Sequence, residues 1–476
     1  MAKIIIESDK PVGVISPYIY GHFTEHIGGV IYDGIWVDPR IPNIEGVRME
    51  LVKYLKRIKP SVIRWPGGCF ADRYHWQDGI GEIRPRRYGR WNDVTEPNYF
   101  GTYEFIKFCR LVDAEPYIAG NVGTGSPEEF QQWIEYCNAP PGTTTLSDMR
   151  EKNGSQKPFG VRFWGVGNEA WGCGGNFTPE SYADHYRLFT TWMPGYGIRL
   201  YTIACGPNGD DRDWTTRFFR QYSHSTTMDG WSFHYYCGSA GGAIDFSEAQ
   251  WYELINKANL MEKIILSQWD ILSEFDPQHK IKLIVDEWGA WHSSGTEINP
   301  RHTFEQVSTM RDAVIAALTL DTFNRHADKV FMANIAQMVN NLHSLFLADE
   351  EKFVATPNFY VYEMYTPHHG AQSIKVEFDC EVDHGLPVLT GSASINGKLI
   401  TLTVVNIHTG ENVEAEITID GGAIKEARRT ILSHEDIHAH NTFDDPYEVI
   451  PETSDVELGK VTFKPASITR LDITLA

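Results

Sequence analysis

Residues 281–291 read IKLIVDEWGAW, a short apolar run that ends in two acids and then in tryptophan and glycine. Ile281, Leu283, Ile284 and Val285 are the composition of a strand buried on both faces. Such a strand cannot solvate a carboxylate along its length, so Glu287 has to emerge at its C-terminal end. Residues 161–169, VRFWGVGNE, repeat the pattern with Asn168 and Glu169 at the end. Six further runs have the same character: YIYGHFTEH (18–26), SVIRWPGG (61–68), PYIAGNVG (116–123), IRLYTIACG (198–206), GWSFHYY (230–236) and KVFMANIAQ (329–337). Segments of helical period separate them. Val47, Leu51, Leu55 and Ile58 form one stripe, and Phe130, Trp133, Ile134 and Cys137 form another behind Ser126-Pro127-Glu128-Glu129, which reads as a capping box with proline at the first helical position. Further helices are predicted over 102–113, 178–193, 211–222, 248–275 and 303–325, with another after the last run.

Eight strand and helix pairs in about 350 residues predict a (β/α)8 barrel, the TIM-barrel fold. An open doubly wound sheet gives a similar local pattern, but no G-x-G-x-x-G follows the first strand. The barrel places reactive groups where strands end, and Glu25, Arg64, Asn168, Glu169, His234, Tyr236, Glu287 and Gln337 all fall there. From about residue 372 the pattern becomes alternating: Val413, Ala415, Ile417 and Ile419 share one face, Asn396-Gly397 is a hairpin turn, and Leu471, Ile473 and Leu475 close the chain. The expected organisation is an N-terminal strand over 1–16 that packs with the C-terminal domain, a catalytic barrel over 17–371 and a β-sandwich of jelly-roll type over 372–476.

The totals narrow the function. Lys+Arg 42 against Asp+Glu 63 gives a net charge of −21, which disfavours nucleic acid and anionic membranes as partners. The basic run RPRRYGR (84–90) is too short to reverse this and reads as a solvated loop. Mean hydropathy is −0.33, and no stretch approaches the length of a membrane span. Seven cysteines, at 69, 109, 137, 173, 205, 237 and 380, are an odd number with no C-x-x-C pair, so reduced thiols in a cytoplasmic protein are expected.

His22, Glu25 and His26 spell H-x-x-E-H, the inverted zinc-protease signature. That motif needs a helix to bring both histidines to one face, whereas here it closes a strand between glycines. The expectation is no metal and no organic cofactor. Two carboxylates converging on one barrel mouth are instead the requirement of glycoside hydrolysis. Trp65, Trp76, Trp91, Trp171, Trp288 and Trp291 flank the same strand ends and would stack on sugar faces. Strand alternation turns Asp286 away from the mouth, which makes it structural.

The stretches GHFTEHIGG, IRWPGGCFADRYHWQDG, RPRRYGRW, GVGNEAWGCGG, SFHYY, IVDEWGAW and ANIAQMVN, in this order, resemble glycoside hydrolase family 51, the retaining α-L-arabinofuranosidases. The resemblance implies Glu169 as acid/base and Glu287 as nucleophile. It implies that Asn168, Glu25, Tyr236 and Gln337 hold the arabinose, with Trp91 beside them, that Arg64 orients Glu287, and that His234 supports the pair. Cys69 stands where several members carry asparagine, and is expected either to touch the sugar or to fill space. The resemblance further implies exo-acting release of terminal arabinofuranosyl groups from arabinan, arabinoxylan or derived oligosaccharides, and a homo-oligomer, commonly a hexamer. A related endoglucanase or β-xylosidase, or a non-catalytic carbohydrate-binding protein, are the alternatives. The connection 138–160 is expected to be an oligomer contact or mobile, and residues 237–245 a mobile rim.

Overall fold

The computed structural model describes residues 2–89, 94–223 and 226–476. All eight apolar runs become strands of one closed parallel barrel: Gly21–Phe23, Val62–Trp65, Glu115–Gly120, Phe163–Val166, Tyr201–Ala204, Gly230–Gly238, Lys282–Trp291 and Val330–Ala336. These are numbered below as barrel strands one to eight. The registers Phe23↔Arg64, Arg64↔Tyr117 and Tyr117↔Phe163 carry side chains from neighbouring strands to similar heights in the barrel. Large side chains fill the interior, and Gly165 is where the filling demands a missing Cβ, because one there would come to 2.9 Å from the Tyr117 hydroxyl.

The helices follow the sequence pattern closely, with instructive departures. Ser126 Oγ accepts from Glu129 N at 3.1 Å, as a cap should. The Glu129 carboxylate does not complete the box; it bonds His75 Nδ1 instead, at 2.9 Å. The helix expected from 303 starts only at Met310, where Thr309 and Asp312 form a reciprocal capping box. The connection 138–160 contains a helix, Thr145–Lys152, and its buried Arg150 donates to the carbonyls of Tyr136 and Ala139 at 2.8 Å each. Proline and glycine in that stretch concealed it. In the 237–245 segment, the carbonyls of Ala240 and Gly242 accept from Arg311 at 2.9 and 2.6 Å.

By packing, the chain forms two compact units. One comprises Gly21–Tyr235 and Ile264–Glu287; the other comprises Met1–Tyr20, Tyr236–Lys263 and Trp288–Ala476. In the second unit, the sandwich expected at the C-terminus takes the form of one continuous nine-stranded sheet. The N-terminal strand, Ala2–Val14, lies within it, antiparallel to Gln372–Asp379 and parallel to Val413–Asp420. Ile4, Ile6, Leu402, Ile417, Phe463 and Leu471 share one core although they come from strands far apart in the sheet, so the sheet closes over a single apolar interior.

A buried polar knot joins the helix Met310–Arg325 to this sheet. Asp321 accepts from Ser392 Oγ at 2.7 Å, Thr403 Oγ1 at 2.5 Å and the Tyr365 hydroxyl at 2.9 Å. Burial pushes its carboxyl up to about 6, against the lowering pull of the Ser392 and Thr403 hydroxyls. A folded-state value above the unfolded one means that the native state holds the proton more tightly. Stability is therefore greatest below about pH 4, falls as the pH rises to about 6, and changes no further through this group, a total of about 3 kcal/mol. Asp321→Asn should remove that dependence: between about pH 4 and pH 7 the wild type should lose about 3 kcal/mol relative to the variant in denaturant titrations. Parallel stability curves for the two proteins would contradict this assignment.

Candidate active site

Arg64, the third residue of barrel strand two, is fully buried and donates from Nη1 to Glu287 Oε1 at 2.8 Å and from Nη2 to Asn168 Oδ1 at 2.6 Å. One guanidinium thus joins Asn168, just past the end of strand four, to Glu287 within strand seven, which runs on to Trp291. The ring of Phe23 lies 4.7 Å from its Cζ. Asp286 does not turn away: its Oδ2 lies 3.9 Å from Arg64 Nε and accepts from the Tyr117 hydroxyl at 2.9 Å. It shares the buried cation from inside the barrel because the guanidinium lies low enough to reach both acids.

His234 Nδ1 lies 3.0 Å from Glu169 Oε1 and 3.5 Å from Glu287 Oε2, so the histidine bridges the two glutamates. Burial works against a charged imidazole here, but the Glu287 charge and the hydrogen bond to Glu169 outweigh it and hold the ring above its usual value. One oxygen of each glutamate and a ring nitrogen of His234 lie within 4.8 Å of one another. These are also the atoms with which this unit could hold a cation.

Glu25 is 4% exposed, and its Oε1 accepts from Phe70 N at 2.9 Å. It can approach only because Gly67 has no side chain, as a Cβ there would come to 2.6 Å from Glu25 Cγ. His26 is occupied, with Nδ1 3.0 Å from Glu96 Oε2 and Nε2 accepting from Trp65 Nε1 at 3.0 Å. The glutamate of H-x-x-E-H therefore faces the site while His26 braces the wall behind it. Tyr236 and Gln337 belong to the other unit. Tyr236 packs edge-on against Trp291 at 5.3 Å, and Gln337 is buried at the cis peptide that follows Ala336. Trp91 lies outside the described residues.

Cys69 is bonded to Cys173, contrary to the reduced thiols expected from an odd count without C-x-x-C; the partners are 104 residues apart, a separation no local spacing rule detects. The other five cysteines are free. The Cys173 sulfur lies 3.4 Å and the Cys69 sulfur 4.0 Å from Glu169 Oε2. A disulfide carries no S–H, so these are packing contacts. Cys69, Glu169 and Cys173 are a second group of metal-ligating type, with both sulfurs committed to the bond. Beside it opens a cavity of about 230 Å3 lined by Cys69, Phe70, Tyr74, Arg87, Tyr88 and Glu96.

Residues 54–241 match the family model described as alpha-L-arabinofuranosidase 1 domain, and residues 286–467 match the alpha-L-arabinofuranosidase C-terminal domain. A Bacteroides ovatus protein named intracellular exo-alpha-L-arabinofuranosidase is 38% identical over 97% of this chain and 93% of its own length. The crystal structure of the GH51 arabinofuranosidase from Xanthomonas axonopodis pv. citri aligns over 100% of both chains at 36% identity, with a TM-score of 0.95. The chain belongs to the α-L-arabinofuranosidases of glycoside hydrolase family 51. A Thermotoga maritima α-L-arabinofuranosidase, solved as an arabinose complex, aligns with it over 100% of both chains at 31% identity and a TM-score of 0.90.

Within this glycoside hydrolase, several aromatic expectations change. Trp65, Trp76 and Trp288 are buried among other rings, Trp65 stacked on Phe105 at 4.9 Å and Trp76 on Trp133 at 6.3 Å, so they are core and not sugar platforms. Trp291, 38% exposed, keeps an open ring. Within the described part of the basic run, Arg84 pairs with Glu104 and Arg87 with Asp78. Sequence reasoning missed Cys173 as the partner of Cys69, and also Asp72. The latter is buried, with burial pushing its carboxyl up to about 7 against the backbone amides of Val122 and Gly123 that bond it. No signal in the sequence pairs these two cysteines among the seven.

Gly68 supplies a direct test of the site. A Cβ there would sit 3.0 Å from Glu287 Oε1 and 3.3 Å from Phe23 Cζ. Gly68→Ala should lower kcat/KM by up to about 100-fold through displacement of that carboxylate, with thermal melting close to wild type. Unchanged activity in the variant would show that Glu287 does not need its observed position.

Proposed function

We propose that this enzyme removes terminal non-reducing α-L-arabinofuranosyl groups from arabinan, arabinoxylan or oligosaccharides derived from them, by double displacement with retention. The reading rests above all on the closeness of Glu169 and Glu287. Oxygens within 4.8 Å of each other suit the separation of about 5 to 5.5 Å between carboxyl groups in retaining enzymes better than the roughly 6.5 to 9.5 Å of inverting ones. Glu287, with a guanidinium 2.8 Å from one oxygen, attacks the anomeric carbon. Glu169 enters with a proton, gives it to the departing oxygen, and then takes one from the water that cleaves the arabinosyl ester. His234 lies between them and can follow the negative charge as it moves from one to the other. Glu25, Asn168, Tyr236 and Gln337 are assigned to the sugar hydroxyls, and Trp91 to substrate binding.

The cavity lined by Cys69, Phe70 and Tyr88 is assigned to the leaving-group side. Exo action and an intracellular location follow the Bacteroides ovatus relative. We also propose a homo-oligomer, to be measured by light scattering, and a division into a catalytic barrel over 17–371 with a sheet domain over 372–476.

Glu287→Ala should abolish turnover, and added azide should restore it with an arabinosyl azide of inverted configuration. The wild-type product, followed by proton NMR before mutarotation, should retain configuration; an inverted first product ends this mechanism. Glu169→Ala should lose about 100-fold or more in kcat/KM on natural linkages, and much less on nitrophenyl arabinofuranosides, whose leaving group needs no proton. Equal losses on both would remove the acid role from Glu169.

A further inference from the structure

Glu169 has φ of +40°, in the left-handed region that a glutamate adopts only when its surroundings enforce it. Part of the enforcement is local, since the carbonyl of Glu169 accepts from Gly172 N at 2.7 Å and Gly174 N at 3.1 Å. The rest comes from a different loop. The 3-10 turn Ala71–Arg73, following barrel strand two, sends the Asp72 side chain toward the ends of strands three and four. Asp72 Oδ1 accepts from Val122 N at 3.1 Å and Gly123 N at 3.2 Å. Its Oδ2 faces the Glu169 loop so closely that a Cβ on Gly174 would come to 2.8 Å from it. The same Gly174 Cβ would come to 1.6 Å from the Asn168 carbonyl oxygen, so loop and carboxyl leave no slack between them.

Three residues before Asp72, the Cys69–Cys173 bond ties the same two loops a second time, at a Cα–Cα distance of 5.5 Å. Its sulfurs pack against Oε2 of Glu169 while His234 holds Oε1, so both oxygens of the carboxyl are located. We propose that the Cys69–Asp72 turn positions the acid/base: the disulfide fixes the carboxyl of Glu169 against the sulfurs, and Asp72 fixes the backbone behind it. This rests on the reading of Glu169 as acid/base. Asp72, Cys69 and Cys173 are positioning residues here and give up no proton to the substrate.

Opening the bond affects protonation of the leaving group specifically. A dithiol transfers two electrons and two protons to the bridge, closing to its own cyclic disulfide and leaving two thiols. These S–H groups then stand where they can donate to the Glu169 carboxylate and compete with the leaving group for it, and the loop loses its covalent tether. Glycosylation by substrates that need a proton slows, while a nitrophenolate departs without one.

The test is the ratio of kcat/KM on an alkyl arabinofuranoside to that on the nitrophenyl arabinofuranoside. Asp72→Ala should lower this ratio about tenfold or more, and Asp72→Asn, which keeps an oxygen for both amides, should restore most of it. Treating the folded wild type with dithiothreitol until two further thiols titrate should lower the ratio in the same direction, and reoxidation should recover it. Cys69→Ser/Cys173→Ser should show the lowered ratio and no response to dithiothreitol. An unchanged ratio after reduction, or in a folded Asp72→Ala, overturns the proposal; should Asp72→Ala fail to fold, the reduction experiment decides alone. Glu169→Ala measured in parallel separates the two levels. If it does not shift the ratio, the acid role falls and this proposal with it; if it does while the others do not, only this proposal falls.

Discussion

A guanidinium with no access to water is the constraint around which this active site is arranged. Burying the charge of Arg64 is unfavourable unless carboxylates and an accepting oxygen surround it, and truncating one partner of such a group typically costs several kcal/mol. Its partners are Glu287, Asn168 and, from below, Asp286. Because the fork is planar and rigid, satisfying it also sets the height and separation of strands four and seven relative to strand two. The charge that stabilises the pair of acids and the geometry that holds them in place are therefore one feature.

Around that cation the site balances two needs. Two carboxyl groups must lie close together, and the negative charge gathered there must be contained. His234 between Glu169 and Glu287 meets the second need, held toward its charged form by the charges it neutralises. Glycines meet the first: Gly67 admits Glu25 and Gly68 admits Glu287, each where a methyl group would intrude. The strained backbone of Glu169 is the local cost of pointing an acid inward from a strand end, and the clamp from the neighbouring loop offsets it. In the other unit, the knot around Asp321 shows the same logic applied to structure, since a lone buried carboxyl is tolerated because three hydroxyls donate to it.

The barrel was legible in the sequence because a parallel strand covered on both faces must be apolar along its length and can become polar only where it ends. That single rule placed all eight strands, and it singled out Glu25, Arg64, Asn168, Glu169, His234 and Glu287. Helices were read from their apolar stripes, and the one overlooked, Thr145–Lys152, is mostly polar and owes its place to the buried Arg150. What depends on contacts between distant segments was not legible. The Cys69–Cys173 bond joins two loops brought together by the closure of the barrel, and the burial of Trp65 and Trp76 depends on helices that pack over them. Asp286 shares Arg64 because of the depth of the guanidinium, which alternation along one strand does not specify. Sequence alone determined which runs form the barrel strands and which polar residues interrupt them, since local periodicity and burial dictate it. Only the tertiary structure decided which of them touch, since closing a sheet into a barrel brings residues more than a hundred positions apart into contact through distances that no local pattern encodes.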